Sequence, residues 1–427
     1  MSGWHVTKLA EALDIHHGWA FKGEFFSDSG ELIVLTPGNF KEKGGFKSKS
    51  GAEKFYSGSF PEKFLLPKDA VVVAMTEQGH GLLGSSATIP EADRYLHNQR
   101  IGLLEVTDPK TLDIRFAYHL MNTPDVRRQI QATATGSKVR HTAPERIRDV
   151  TAPLPSLPTQ RVIAGMLDSI DNLIQNNRRR VEVLEKMARA IYREWFVKFR
   201  YPGYGDVPLV DSALGPIPEG WVASTCGAEL DFIGGGTPSK AEPLYWDGGT
   251  VAWYTPTDLT KTGWRYAAPP ELRVTEQGVA KSSTRLFPAG SVMMTSRATL
   301  GVLAVATTEA TTNQGFIVVL PDERWGSGFI YEWLDSKADG LAALGTGATF
   351  KEITKGSFKN FPFIVPAQSA LDAYRSATEP LEAQIRVLEQ QTRSLSNLRD
   401  LLLPKLVTGQ IDVAKLDLDA LIVELVP

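Results

Sequence analysis

The sequence predicts an α+β protein in which two strand-rich domains alternate with two long antiparallel helices under a pseudo-twofold internal repeat. Three observations carry that prediction. The first is a repeat at a spacing of 211 residues: Thr135-Gly136-Ser137 aligns with Thr346-Gly347-Ala348, and a basic residue follows in each copy, Arg140 and Lys351. Without a gap, the same offset pairs Ile170 with Leu381, Ile174 with Ile385, Leu184 with Leu395 and Ile191 with Leu402. What repeats is the apolar phase of a helix rather than residue identity. The second is the stripe itself. Ile163, Met166, Ile170, Leu173, Val181, Leu184, Ala188, Ile191 and Trp195 recur in steps of three and four, as do Leu381, Ile385, Leu388, Leu395, Leu398 and Leu402, which is a narrow seam and not a broad core face. The third is the texture of the segments in front of each stripe, where short β-branched and aromatic runs are split by Gly, Pro and Ser.

In chain order, residues 1–155 read as the first domain, with strands near Val71–Met75 and Gly102–Val106 and a proline-bounded strand from Val150 to Pro155. Residues 156–200 read as the first long helix, and 201–219 as a linker, because Pro202, Pro208, Pro216 and Pro218 alternate there with Gly203, Gly205 and Gly215. Residues 220–366 form the second domain, with strands near Ser291–Thr295 and Phe316–Leu320 and a matching strand from Phe361 to Pro366. Residues 367–427 form the second helix and a tail, with a kink or a fresh helix start expected at Pro380. The front halves also correspond. Gly3-Trp4 resembles Gly220-Trp221, the Thr36-Pro37 run resembles Thr255-Pro256, and Asn98-Gln99 resembles Asn313-Gln314. A repeat this long means a duplicated domain and not a solenoid. The seam residues are Ile163, Ile170, Asn177, Leu184 and Ile191 on one helix and Leu381, Ile385, Leu388, Leu395 and Leu402 on the other. Asn177 either sits on the seam and fixes its register or turns to solvent while Val181 takes its place.

Composition excludes several classes. The 427 residues hold 42% hydrophobic and 22% charged side chains and carry a net charge of −3, which describes an ordinary globular chain and argues against coating nucleic acid by bulk charge. The longest apolar run, Ala70–Met75, is a buried strand, no signal peptide is visible, and the chain is expected to be cytoplasmic. A single cysteine, Cys226, excludes disulfide frameworks and cysteine zinc sites. The run Gly234–Lys240 lacks P-loop spacing, no G-x-G-x-x-G follows a strand, and the Asn-Pro-Pro-aromatic tetrapeptide of amino-methyltransferases is missing. The seven histidines show no H-E-x-x-H or paired spacing. No catalytic residue and no metal site is expected; the chain reads as a binder.

Candidate binding residues lie on loops. Asn39, Lys41, Lys43, Lys47 and Lys49 belong to a basic, aromatic, glycine-rich loop suited to phosphates and a groove. Thr135, Gly136, Ser137, Lys138 and Arg140, and in the second copy Thr346, Gly347, Thr349 and Lys351, combine close backbone approach with hydroxyl donors and a cation. Gln78, Asp258 and Arg297, with Asn39, fall just past strand ends, where Asn and Gln suit adenine and Arg suits guanine. The first helix is basic as well, with Arg178, Arg179 and Arg180 in succession, a run that fits phosphates or an acidic partner as well as a solvated face.

With these features in hand, the chain resembles the specificity subunit of type I restriction–modification systems. The resemblance rests on the doubled layout, on Leu154–Arg161 leading into the first helix, on Met187–Phe199 closing it, and on Leu403–Asp412 at the end of the second. It implies two target-recognition domains, each reading one half of a bipartite double-stranded DNA target, with the paired helices as spacer. It implies two methyltransferase subunits on the helices and restriction and translocase subunits joining them. S-adenosylmethionine, ATP and magnesium are then expected on those partners and not in this chain. A scaffold that grips only proteins is the alternative.

Overall fold

The structure is a computed structural model, described here for residues 4–49, 51–79, 81–346 and 351–413. The chain divides into two compact units: residues 1–173 with 394–427, and residues 174–393. Each is built on the same plan.

The first unit centres on four strands, β1 (Leu13–His17), β2 (Val71–Ala74), β3 (Ser86–Thr88) and β4 (Ile101–Val106), in the order β1-β4-β2-β3 with antiparallel neighbours. Val71 to Ala74 are buried on both faces, so β2 reads as a continuous apolar run rather than an alternation. Beside it Ile33–Val34 runs parallel to Tyr95–Leu96, and His5–Lys8 pairs antiparallel with Thr151–Leu154.

The second unit repeats this arrangement. Strands β5 (Phe232–Gly234), β6 (Val292–Thr295), β7 (Leu303–Val305) and β8 (Phe316–Val319) are ordered β5-β8-β6-β7. Val251–Tyr254 runs parallel to Ala310–Thr312, and Val222–Thr225 pairs antiparallel with Pro362–Val365. Pro153 and Pro362 lie in these two-stranded ribbons, where a missing N–H breaks no central ladder. The duplication visible as an apolar phase is therefore a duplication of topology.

Two helices complete the units. α1 (Leu157–Tyr192) continues into a wider turn over Arg193–Val197, and α2 spans Gln368–Val407. In the first unit Ile163, Ala164 and Leu167 share one core with Leu403, Leu406 and Val407, and Arg399 Nη1 donates to Asp171 Oδ1 at 3.1 Å. In the second, Asn177 Nδ2 faces Gln391 Oε1 at 3.5 Å while the rings of Phe196 and Tyr374 lie 5.1 Å apart. One residue number rises as the other falls, so the helices pair antiparallel. Asn177 is buried on the seam, the register-fixing alternative of the two.

Two expectations for the helices need correction. Leu173 is exposed and Ile174 is buried in its place, because a helix of 3.6 residues per turn drifts off a strict 3.5 repeat. Of the kink or fresh start expected at Pro380, the fresh start does not occur, since one helix runs through it. Pro380 and Ser376, whose carbonyl the proline leaves without a donor, are both exposed, so water can satisfy it. The segment read as a linker forms a small hairpin, Leu209–Val210 against Ile217–Pro218, and Tyr201 stacks on Trp221 at 5.3 Å. Among the described residues no helix is long and apolar enough to cross a membrane, and no group of three or more His, Cys, Asp or Glu side chains could hold a metal.

Candidate nucleic-acid interface

At one end of each central sheet three segments meet through backbone hydrogen bonds. In the first unit Met75 N–H, just past β2, donates to Arg100 O at 3.0 Å, and Thr142 N–H donates to Met75 O at 2.9 Å. Arg140-His141 then pairs with Thr76-Glu77, and Thr135 bridges His141. In the second unit Ser296 N–H, just past β6, donates to Gly315 O at 2.7 Å, and Ile353 N–H donates to Ser296 O at 2.9 Å. Glu352 bridges both Arg297 and Thr346. The same edge is thus made twice from a turn, a strand end and a loop.

The turns are alike down to their support. Asn98 Oδ1 accepts from Arg100 N–H at 3.0 Å, and Asn313 Oδ1 accepts from Gly315 N–H at 2.8 Å. Beneath them lie Gly18 and Gly235, where a Cβ would come within 2.3 Å of Asn98 O and 2.1 Å of Asn313 O. Only glycine permits that approach. Gln99 and Gln314 stand exposed on these turns, and Gln314 Oε1 accepts from Thr237 Oγ1 at 2.6 Å.

In the first unit two buried charges organise the loops around this edge. Glu77 Oε2 accepts from the N–H groups of Gly81, Leu82 and Leu83 at 3.2, 3.0 and 2.8 Å, and its Oε1 takes Arg140 Nη1 at 3.3 Å. Arg127 donates from Nε to Leu83 O, from Nη1 to Glu42 O and from Nη2 to Gly81 O. One guanidinium fork therefore ties the loop after Asn39 to the loop after β2, while Glu77 ties the latter to the loop carrying Thr135 and Arg140. Gln78, Lys47, Thr135, Gly136, Ser137 and Lys138 are exposed around this network. Gly136 has φ +97°, and a Cβ there would meet Val139 O at 2.1 Å.

The remaining candidates are placed as follows. Asn39 and Asp258 hold equivalent positions as the third residue of a helical turn opened by Thr-Pro. Asn39 Oδ1 accepts from Thr36 N and Oγ1, and Asp258 Oδ2 from Thr255 N and Oγ1. These are capping boxes, and Asn39 Nδ2 is further engaged by Lys47 O. Lys49 Nζ donates to Thr36 Oγ1 at 2.7 Å, and burial, then Lys54 and Lys47, holds its pKa down. Lys43 reaches Asp400 on α2 at 2.7 Å. The carbonyl of Lys41 accepts from Ser85 Oγ. Lys351 and Thr346 are exposed, and Arg297 Nη2 pairs with Glu352 Oε1 at 2.8 Å. Gly347 and Thr349 lie outside the described residues. The structure thus gathers Gln78, the Thr135–Arg140 loop and the loop after Asn39 in one unit, and Arg297, Thr346 and Lys351 in the other. Sequence reasoning missed Glu77, Arg127 and Glu352. For Glu352 a signal existed, since the 211-residue offset aligns it with His141.

The second unit carries a further buried cluster. Arg265 pairs with Glu332, lies near Glu382 at 3.9 Å and stacks over the ring of Tyr331. Burial pushes the Glu332 and Glu382 carboxyls up despite Arg265. Glu389 on α2 accepts from the N–H groups of Arg265 and Tyr266 at 2.8 and 2.9 Å, and burial raises its pKa to about 7. These groups anchor a loop of the domain to the helix.

A doubled α+β fold with two long paired helices is the class that this architecture defines. The type I restriction modification DNA specificity domain matches residues 1–186 and 218–385, so the chain belongs to that family. It is 32% identical over 175 residues to the type I restriction enzyme MjaIX specificity subunit of Methanocaldococcus jannaschii, covering 40% of this chain and 39% of that protein. It is 27% identical over 318 residues to the EcoR124I/EcoR124II specificity subunit of Escherichia coli, covering 69% and 71%. The crystal structure of the type I restriction-modification S subunit from M. genitalium superposes with a TM-score of 0.61 over 95% of this chain and 96% of that one, at 15% identity.

Proposed function

We propose that the chain is the sequence-reading subunit of a type I restriction–modification complex. Each unit reads one half of a bipartite duplex target, and the helix pair sets the interval between the halves. The observation that carries this reading is the edge built twice from the same three segments, because a protein that reads two half-sites needs the same tool twice with different tips. Loops on a rigid scaffold are where such contacts belong. Family membership supports DNA as the ligand, and the exposed face of α1, with Arg179 and Arg180 and the apolar Val183 and Met187, supports docking of methyltransferase subunits there, with restriction subunits joining them. Methyl transfer and cleavage, with S-adenosylmethionine, ATP and magnesium, then reside on those partners in the cytoplasm.

The test is a titration of duplex DNA at two salt concentrations, with and without the methyltransferase subunits. A sequence reader shows a steep salt slope on all duplexes and a preferred sequence among them. A scaffold that grips only proteins shows neither, and that result would overturn the proposal.

A further inference from the structure

Resting on the reading of each unit as a DNA head, we propose that one cross-strand side-chain pair on the shared edge sets the base preference of each half-site: Thr76 with His141 in the first unit, Arg297 with Glu352 in the second. The two pairs are equivalent by backbone bonding and not merely by sequence. Thr76 follows the residue that bonds Arg100 O and faces His141, and Arg297 follows the residue that bonds Gly315 O and faces Glu352. The frame is kept and the chemistry is exchanged. Thr76 Oγ1 lies 3.1 Å from His141 Nδ1, a hydroxyl–imidazole contact, whereas Arg297 Nη2 lies 2.8 Å from Glu352 Oε1, a guanidinium–carboxylate pair.

The exchange matters because these groups reach outward. The Arg297 and Glu352 side chains keep 43% and 38% of their surface exposed, so the pair can meet a groove without unfolding the edge. Glu352 engages one Nη of a fork with five donors, so donors on the two Nη groups remain for an outside acceptor, while the Nε–H is buried and is not presented. A guanidinium oriented in this way matches the N7 and O6 acceptors of guanine. In the first unit Thr76 is buried and His141 exposed, so the hydroxyl orients the ring and the imidazole is the group presented. It offers one hydrogen bond where Arg297 offers two. The second unit is thereby assigned a G·C pair that the first does not demand.

The experiment uses the full chain assembled with its methyltransferase subunits and a pool of random duplexes, followed by every single-base change of the preferred one. Arg297→Ala with Glu352→Ala removes the pair without stranding a charge. The expected result is the loss of preference at one G·C position of one half-site, on the order of tenfold to a hundredfold, with the other half-site unchanged. Arg297→Lys keeps the charge and loses the fork, and should relax the same position while the salt slope stays. A melting curve reads folding in each case, and Arg297→Lys decides the matter if the double variant does not fold. Unchanged preferences in both halves, or an equal loss at every position, would overturn the assignment. Failure of the native complex to prefer any duplex would instead overturn the reading of the units as DNA heads.

Discussion

The two units share a topology and differ in how they hold their helices. The first closes on α1 and α2 with aliphatic side chains, Ile163 and Leu167 against Leu403, Leu406 and Val407, and adds a hydrogen bond between buried His119 and Asp168 at 2.8 Å and two ion pairs partly open to water, Arg399 with Asp171 and Lys43 with Asp400. The second uses aromatic rings, with Tyr192, Phe196, Phe329 and Tyr374 in mutual contact, and buries Arg265 among Glu332, Glu382 and Glu389. The lesson is that a duplicated fold preserves the backbone pattern of its working edge more strictly than the means of anchoring it. Surface ion pairs contribute little, while a buried charge network is costly to disrupt because the survivors stay dehydrated.

The sharpest test of that contrast is Arg265→Ala. It leaves the buried Glu332 and the half-buried Glu382 without their cation and should destabilise the second unit by about 3–5 kcal/mol in chemical denaturation. A loss below about 1 kcal/mol would show that the cluster is wet and the contrast empty. Next come Gly18→Ala and Gly235→Ala. Each drives a Cβ into a backbone carbonyl, and each should cost about 1–3 kcal/mol, the first in one unit and the second in the other. Equal, independent losses confirm the equivalence of the two turns.

A pH series separates the units further. Glu389 titrates near 7 in the folded chain against an ordinary value of 4.5, so the native state holds this proton more tightly than the unfolded one. Its contribution is complete below about pH 4.5 and is lost as pH rises through 7. Glu389→Gln should flatten the fall in stability of the second unit between pH 5 and 8, an effect on the order of 1–3 kcal/mol. An unchanged slope would contradict the burial argument. The smallest effect belongs to Lys43→Ala in the first unit, whose lysine is 76% exposed in its pair with Asp400, expected to cost about 0.2–1 kcal/mol in the same denaturation assay.

These residues also show where sequence reading works. The helix pairing is legible because Ile163, Ile385 and Leu388 repeat with the phase that burial demands, and only the drift from 3.5 to 3.6 residues per turn puts Leu173 on the wrong face. The capping boxes at Thr36–Asn39 and Thr255–Asp258 are harder. Their short polar side chains look like groove contacts until the N–H groups they accept from are seen. Glu77 and Arg127 are harder still, since Arg127 joins backbone carbonyls 44 and 85 residues away, and no local pattern reports such partners. The edge itself was half visible: Asn98-Gln99 and Asn313-Gln314 stand out as a repeat, but their place beside the Thr-Gly loops emerges only from the ladder through Met75 and Ser296.

The central claim is that two copies of one edge read two separate stretches of duplex DNA. It is tested most directly by mapping methylated bases at base resolution in DNA from cells that carry the complex. The account predicts a target of two defined runs separated by an undefined one, and four residues inserted in both helices, after Leu173 and after Arg393, should lengthen only the undefined run. A single continuous target, or a change in the defined runs on lengthening the helices, would contradict it.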